Sequence, residues 1–361
     1  MTPVPTLFGM PLHILENIIE KMRWDVRMRF RRCSKYCNEV ALNTNCFWTY
    51  ILLMEDDDGF ELELKYGHTE FKIVYTVESV NEQLQCRKVV KHSGVADRNA
   101  NEEREETVVS DVTNFIETAY DLKDVVLADF ALVFKNCTKW NMKKLEIGGV
   151  IWDETILDNE YYMNLGVILF SSKRKISVEK LTISGKLNEY RIMQILPIVK
   201  PRTLQQIDIS NYDDDDQLIL NQLKETVQWN QAECVSLSGV YTLEYSDFTQ
   251  FKFVRFDWPN LDVDNLKRFI KETEDRKDQF QSLIVSSTDH NEEEIQQYLR
   301  NNFGQLCENP LYYYKKHPHL DCFLRFRFEV GTLIDSTFEI SRVLPVTFEL
   351  IDDRFPYFFT D

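Results

Sequence analysis

The sequence has no run of about 18 apolar residues, the minimum for a membrane-spanning helix, and we expect no transmembrane segment. Basic residues are also scarce, with 42 Lys and Arg against 59 Asp and Glu. The resulting net charge of −17 disfavours a nucleic-acid binder, because an anionic surface repels phosphate. No positively charged N-terminal segment is followed by an apolar stretch, so we expect no secretion signal.

The eight cysteines form no Cys-x-x-Cys pair, and most lie in apolar runs, where a free thiol packs as a small hydrophobic group. Together with the lack of a secretion signal, this predicts a reduced intracellular protein, in the cytoplasm or the nucleus. The sequence also lacks the G-x-x-x-x-G-K-[ST], G-x-G-x-x-G, G-x-S-x-G and H-E-x-x-H motifs. His317 and His319 have no nearby metal-ligand types apart from Asp321. We therefore expect neither a catalytic centre nor a metal or cofactor.

Aromatic residues are abundant, with 24 Phe, 16 Tyr and 6 Trp, and they exclude a fully disordered chain.

Charge is distributed unevenly along the chain. Residues 1–53 carry seven basic and four acidic residues, a net +3, which leaves −20 for the remainder. Composition changes abruptly at residues 55–59, and the polar stretch 93–106 predicts a mobile loop. From these changes in composition we predict three regions of the chain, residues 1–54, 55–110 and 111–361.

The N-terminal region predicts three short helices. In residues 10–22 the apolar side chains recur at the i, i+3, i+4, i+7 spacing of an amphipathic helix, and two further helices are predicted at 25–36 and 38–53. Fifty residues in three short helices bury little apolar surface. Either this bundle packs on the rest of the chain, or its spare apolar face docks a partner helix.

This N-terminal pattern resembles an F-box. The apolar spacing that begins at Met10 and Pro11 is that of the opening of the motif, and residues 30–35 resemble its second block. Trp48 lies where the motif ends in an aromatic residue. Met10, Phe30 and Cys33 replace the commoner Leu, Leu and Val but keep the apolar character.

The resemblance implies a partner, the Skp-family adaptor of a cullin–RING ubiquitin ligase, bound by helix-in-groove recognition. Some of the apolar motif residues contact the adaptor and others hold the helices together, and the sequence does not divide the two sets. The implied adaptor-binding set is Met10, Pro11, Ile14, Leu15, Ile18, Ile19, Met22, Phe30 and Cys33.

The rest of the chain predicts strands and helices in alternation. Residues 60–66, 71–75 and 84–90 alternate with period two, which predicts strands, and residues 112–119 and 125–134 look helical. Short strands then recur at 145–147, 181–183, 207–209, 235–237, 253–256, 283–285 and 323–328. Helices are predicted at 189–199, 217–228, 263–274 and 292–303.

The spacing of these strands indicates a repeat. Successive strands at Leu181, Ile207 and Val235 start 26 and 28 residues apart, whereas Val235 and Phe253 are only 18 apart, which implies a truncated unit. Units of this length resemble leucine-rich repeats. The predicted fold class is therefore α+β, an αβ solenoid in which a three-helix F-box precedes a curved strand–helix array, with parallel strands on the inner face.

Two segments of the array, 177–183 and 195–207, resemble the FTH homology region that follows an F-box in nematode F-box-A proteins, a resemblance extending over roughly residues 120–330. It implies a non-catalytic substrate receptor of a Skp–cullin–F-box ubiquitin ligase, in which other subunits supply the chemistry. The alternative is a protein that neutralises its partner stoichiometrically, such as the antidote of a toxin–antidote pair, with a dispensable F-box.

On the solenoid interpretation, side chains between the buried strand positions face the target protein. Arginine and tyrosine are frequent in binding hot spots, although the tyrosines also suit half-buried packing positions. The net −20 of residues 54–361 predicts a basic target through electrostatic steering. The apolar stretch 355–359 is predicted to cap the last repeat. The candidate target-binding residues are Thr182, Asp208, Ser236, Tyr241, Tyr245, Arg255, Asp257, Tyr312, Tyr313, Arg325 and Arg327.

Overall fold

The computed structural model describes residues 11–22, 30, 33–43, 49–56, 59–66, 69–80, 83–94, 110–115, 121–135, 141–149, 159–171, 175–212, 220–239, 244–258, 260–275, 280–287, 289–303, 312–318, 322–330 and 336–343. Its helices are α1 (Leu12–Lys21), α2 (Lys35–Asn43), α3 (Asp121–Lys135), α4 (Asn159–Ser171), α5 (Glu189–Ile195), α6 (Asn221–Glu225), α7 (Val227–Gln231), α8 (Val263–Asp275) and α9 (Glu292–Asn302). None of these described helices is long and apolar enough to cross a membrane.

The strands are β1 (Tyr50–Asp56), β2 (Gly59–Tyr66), β3 (Thr69–Val80), β4 (Gln83–Gly94), β5 (Ser110–Phe115), β6 (Asn141–Gly149), β7 (Ser177–Gly185), β8 (Gln206–Asn211), β9 (Cys234–Ser238), β10 (Phe253–Asp257), β11 (Asn260–Leu261), β12 (Ser282–Ser287), β13 (Asp289–His290), β14 (Tyr312–Lys316), β15 (Phe323–Val330) and β16 (Ser336–Val343). All except the short pair β11 and β13 belong to one 14-stranded sheet, in the order β14-β15-β16-β12-β10-β9-β8-β7-β6-β1-β2-β3-β4-β5. The fold is therefore mixed α/β, built on one large open sheet.

The middle of this sheet is parallel and both ends are antiparallel. Strands β1, β6, β7, β8, β9, β10 and β12 run in the same direction. On one side β2 to β5 form an antiparallel meander, and on the other side β16, β15 and β14 continue the sheet with antiparallel pairs. Helices connect most of the parallel strands, as parallel pairing requires a crossover.

Side chains alternate between buried and more exposed positions along the central parallel strands. In β8, Ile207 and Ile209 are buried, whereas Asp208 between them is half-buried. Because the strands are in register, Ile183 and Leu237 flank Ile209 on the neighbouring strands. Side chains of α3 to α9 join these buried strand residues in one hydrophobic core. The helices thus cover one sheet face, and the polar side chains project from the other.

Between Val235 and Phe253 the sequence predicts a truncated unit, and the described residues of this connection contain no α-helix. They form a 3-10 turn, Tyr245–Phe248, where the neighbouring parallel strands are joined by helices. Two phenylalanines fill the space that a helix would occupy. Phe248 stacks on the ring of Phe256 at a centroid distance of 5.0 Å, and Phe251 meets the ring of Trp229 edge-on at 4.9 Å.

Two predicted helices are wrong, and one predicted strand has a different pairing. The helix predicted at 38–53 ends at Asn43, and its last residues lie in β1, where Ile51 and Leu53 are buried between β2 and β6. The helix predicted at 112–119 is replaced by β5, which pairs with β4. The strand predicted at 323–328 exists, but it pairs antiparallel with β14 and β16 and does not extend the parallel array.

Two predicted boundaries fall inside strands, the one at 54/55 in β1 and the one at 110/111 in β5. Strands on both sides of each boundary belong to the same sheet. Most of the helix predicted at 25–36, most of the predicted loop 93–106 and the predicted cap at 355–359 lie outside the described residues.

The assignment of β1 as a strand can be tested with two adjacent leucines. We expect Leu53→Ala to lower the free energy of unfolding by about 2–5 kcal/mol, because Leu53 is fully buried and its truncation leaves a cavity. The half-buried Leu52 points to the opposite sheet face, and we expect Leu52→Ala to cost about 1 kcal/mol or less. Urea denaturation of the full chain measures both, and equal losses would contradict the strand assignment.

Candidate functional site

The N-terminal helices α1 and α2 have a small hydrophobic core of their own. Helix α1 contributes Leu15 and Ile19, both with no exposed surface, and α2 contributes Cys37, Val40 and Ala41. Phe30 also belongs to this cluster, and the partly buried Met22 packs against it. Leu15 and Ile19 are one helical turn apart, so they form a single inward stripe on α1.

A second set of apolar side chains on α1 faces away from this core. Ile14 is 41% exposed and Ile18 is 36% exposed, and the i, i+4 spacing places them on a common stripe. Leu12, in the first turn, is 52% exposed, and Pro11 before it is exposed as well. We call Ile14 and Ile18 the exposed α1 stripe; Leu12, two residues before Ile14, lies on another side of the helix. Helix α1 therefore presents apolar side chains on two faces, of which one is buried within the described residues.

The structure divides into two sets the residues for which the F-box resemblance implies adaptor binding. Leu15, Ile19, Met22 and Phe30 hold the helices together. Pro11, Ile14, Ile18 and Cys33 are exposed and remain candidates for contact with a partner. Met10 lies outside the described residues. Sequence analysis missed Leu12, which occupies a variable position of the motif; only its place in the first helical turn signalled that it would be exposed.

The polar face of the parallel sheet is the second candidate surface. Backbone pairing places the residues between the buried positions in one row across five strands. Three of the predicted target-binding residues, Thr182, Asp208 and Ser236, are half-buried there, and Arg255 is exposed. In strand order the row is Thr182, Asp208, Ser236, Arg255 and Ile284. The structure therefore brings these predicted residues together.

Ion pairs within this face neutralise most of its charges. Lys180 Nζ lies 2.7 Å from Asp208 Oδ2, and Gln206 donates a hydrogen bond to Asp208 Oδ1 at 2.9 Å. One strand further along, Lys144 pairs with Glu146, which also accepts a hydrogen bond from the Tyr50 hydroxyl at 3.1 Å. Burial, followed by the nearby Glu146 carboxylate, raises the pKa of Tyr50 well above its ordinary value, so this phenol remains protonated.

The thiol on this face is also kept in its neutral form. Cys234 opens β9 and is half-buried. Its burial raises the pKa of the thiol, and the neighbouring carboxylates of Glu233 and Asp208 raise it further. A thiol with a raised pKa forms little of the nucleophilic thiolate at neutral pH. Cys234 therefore has the environment of a packing residue.

Arg255 and Asp257 extend the face on β10. Asp257 is fixed by its neighbours, because its carboxylate accepts hydrogen bonds from the Ser238 hydroxyl and from the backbone N–H of Gly239 at 3.3 Å. Arg255 is exposed, as is Phe253, which lies two residues earlier on the same face.

The remaining predicted residues are scattered. Arg325 and Arg327 lie on the antiparallel strand β15 and pair with Glu339 and Glu329. Tyr313 belongs to the hydrophobic core, with 3% of its surface exposed, so its side chain does not lie on a surface in this structure. The remaining three tyrosines give no test: Tyr241 lies outside the described residues, and the side chains of Tyr245 and Tyr312 are likewise not described.

Within the ranges that the structure describes, no group of three or more His, Cys, Asp or Glu side chains is placed to hold a metal ion. Thr182 stands at the β7 end of the polar row, but its hydroxyl oxygen is inaccessible to solvent and has no hydrogen-bond partner among the residues that the structure describes. Only the methyl side of Thr182 is therefore available for contact on this face.

The division of α1 into two faces predicts different effects for neighbouring substitutions. We expect Leu15→Ala to destabilise the α1–α2 pair by about 2–5 kcal/mol, because it empties a fully buried position. We expect Ile18→Ala to change stability by about 0.5 kcal/mol or less, because that side chain is already partly solvated. Hydrogen exchange of the α1 amides measures both, and equal loss of protection would refute the division.

Comparison with protein families matches residues 159–302 to the FTH domain. The match runs from the first residue of α4 to the last residue of α9, and so includes β7, β8, β9, β10 and β12 of the parallel sheet. No curated protein and no solved structure matches the chain. The central strand–helix part of the chain, which carries the polar row from Thr182 to Ile284, is therefore an FTH domain.

Proposed function

We propose that this protein is a non-catalytic substrate receptor of a Skp–cullin–F-box ubiquitin ligase. Its N-terminal helices would bind the Skp-family adaptor, and the polar face of the FTH domain would bind a target protein. The observation that carries the proposal is the FTH match at residues 159–302, because FTH domains are typically associated with F-box proteins. The F-box itself and the leucine-rich-repeat-like nature of the array remain parts of this proposal.

The exposed α1 stripe supports the adaptor-binding half. An amphipathic helix docks in a hydrophobic groove through apolar anchors spaced one turn apart. Ile14 and Ile18 have this spacing, and both side chains are exposed. The inward stripe of Leu15 and Ile19 is already occupied by the small core. The helix can therefore bind a partner without opening its own packing.

The target-binding half follows from the polar sheet face. A receptor of this kind contributes no reacting group; it holds a target beside the charged ubiquitin carrier and so raises the effective concentration of target lysines. A rigid sheet is suited to that task because in-register strands fix the positions of the side chains that recognise the target. The row from Thr182 to Arg255 provides such positions on four adjacent strands.

Adaptor binding tests the proposal directly. We expect the full chain to co-purify with a Skp-family adaptor and the Ile14→Asp/Ile18→Asp double variant to lose at least about 100-fold in affinity. Uncompensated carboxylates buried in an apolar groove cost several kcal/mol, and about 2.7 kcal/mol corresponds to 100-fold. Isothermal titration calorimetry with purified adaptor gives the affinities. Leu15 is left unchanged because it belongs to the small core.

The matched control is Val167→Asp/Phe170→Asp on α4, which places two carboxylates on exposed apolar positions outside α1. We expect this control to bind the adaptor like the wild type. Thermal unfolding of each variant checks that it is folded. A folded wild type that fails to bind any Skp-family adaptor would overturn the proposal, and stoichiometric binding with a dispensable F-box would become the hypothesis to test.

A further inference from the structure

The polar face of the FTH domain contains one arginine, Arg255, whose charge has no partner among the residues that the structure describes. Charged side chains near it have partners within the sheet: Lys180 pairs with Asp208, and Asp257 accepts hydrogen bonds from Ser238 and Gly239. The side chain of Arg255 makes no ion pair and no hydrogen bond with any residue that the structure describes. An exposed guanidinium among neutralised neighbours is free to bind an external anion.

The neighbouring strands explain why Arg255 has no partner within the described part of the sheet. Parallel pairing places Ser236 on one side of it and Ile284 on the other. Neither side chain carries a charge, and Asp257, two residues further along β10, is already bound. The guanidinium presents up to five N–H donors in a planar fork, the geometry that suits two-point binding of a carboxylate.

An exposed aromatic ring lies next to this cation. Phe253 is 39% exposed and occupies the same face two residues before Arg255. Residues i and i+2 of a strand are about 6.6 Å apart. An extended peptide has the same side-chain spacing, so a carboxylate and an apolar side chain two positions apart match Arg255 and Phe253 together.

We propose that Phe253 and Arg255 bind an acidic, apolar segment of the target protein in which Asp or Glu stands two positions from a large apolar residue. The inference rests on the proposed receptor function and specifies the chemistry of its target site. It also refines the expectation of a basic target, since the net −20 of residues 54–361 acts at long range while this contact is local and of opposite sign.

A displayed library of random twelve-residue peptides tests this specificity. The library is selected on the full chain and counter-selected on the Arg255→Glu variant. We expect the enriched peptides to carry Asp or Glu two positions from Phe, Leu, Ile or Trp. A synthetic enriched peptide should bind Arg255→Glu at least about tenfold more weakly than the wild type, a loss of 1.4 kcal/mol or more. Its Lys-substituted version should regain affinity for Arg255→Glu, which a purely structural effect would not produce.

Two further variants sharpen the test. The Phe253→Ser variant should bind the acidic peptide more weakly than the wild type does. The control variant Arg202→Glu, which reverses the charge of an exposed side chain in the 3-10 turn Pro201–Thr203, should bind the peptide like the wild type. No enrichment, enrichment of peptides without a carboxylate, or equal binding to Arg255→Glu would each overturn the inference. Adaptor binding by the same proteins is measured separately. Failure to bind the adaptor would contradict the receptor proposal, whereas failure to select acidic peptides would contradict only this inference.

Discussion

The in-register pairing of seven parallel strands is the constraint on which the rest of the structure depends. Side chains alternate along each strand, so register alignment gathers Ile183, Ile209 and Leu237 into a continuous apolar row on one face. That row must be covered, and the helices between the strands cover it. The same alignment gathers the intervening polar side chains on the opposite face. The core and the candidate binding surface are therefore two results of one pairing pattern.

Contacts between the loops at the strand ends help to keep neighbouring parallel strands aligned. Asn211, buried at the end of β8, accepts a hydrogen bond from the backbone N–H of Leu187 at 2.9 Å and so fixes the loop that follows β7. Gly239 follows β9 with a φ of 68°, and a Cβ there would lie 1.9 Å from the carbonyl oxygen of Asn211. Only glycine combines that φ with so close an approach. Neighbouring units are thus linked by side-chain and backbone contacts in addition to the sheet.

The sequence predicts the parallel part of the fold well because two independent signals agree there: a short apolar-x-apolar strand and a helix of matching length. It fails where only one signal exists. Residues 51–54 are all apolar, and a run without alternation does not distinguish a strand from a helix. Phe323 to Phe328 carry a correct strand pattern, but pattern alone does not specify which neighbour a strand pairs with. Pairing between distant segments decides both cases.

The candidate surfaces show the same limit at the level of single side chains. Ile14 and Leu15 are adjacent apolar residues of one motif, yet only the position of α2 decides that Leu15 is buried and Ile14 is not. Residue type predicts which side chains suit binding, but packing against sequence-distant elements decides which are available. Tyr313 has a suitable type for a hot spot and is nevertheless part of the core.

Strand register also decides which arginine side chains are available to bind another molecule. Arg325 and Arg255 are both arginines on strands of one sheet, but antiparallel pairing places Ser341 opposite Arg325 and Glu339 within 3.3 Å of its guanidinium. Parallel pairing gives Arg255 the uncharged neighbours Ser236 and Ile284. The first guanidinium is bound within the sheet, and the second is left to solvent. Because a shift of one residue would move either arginine to the opposite face, the binding chemistry of this surface is set by the same hydrogen-bond register that builds the core.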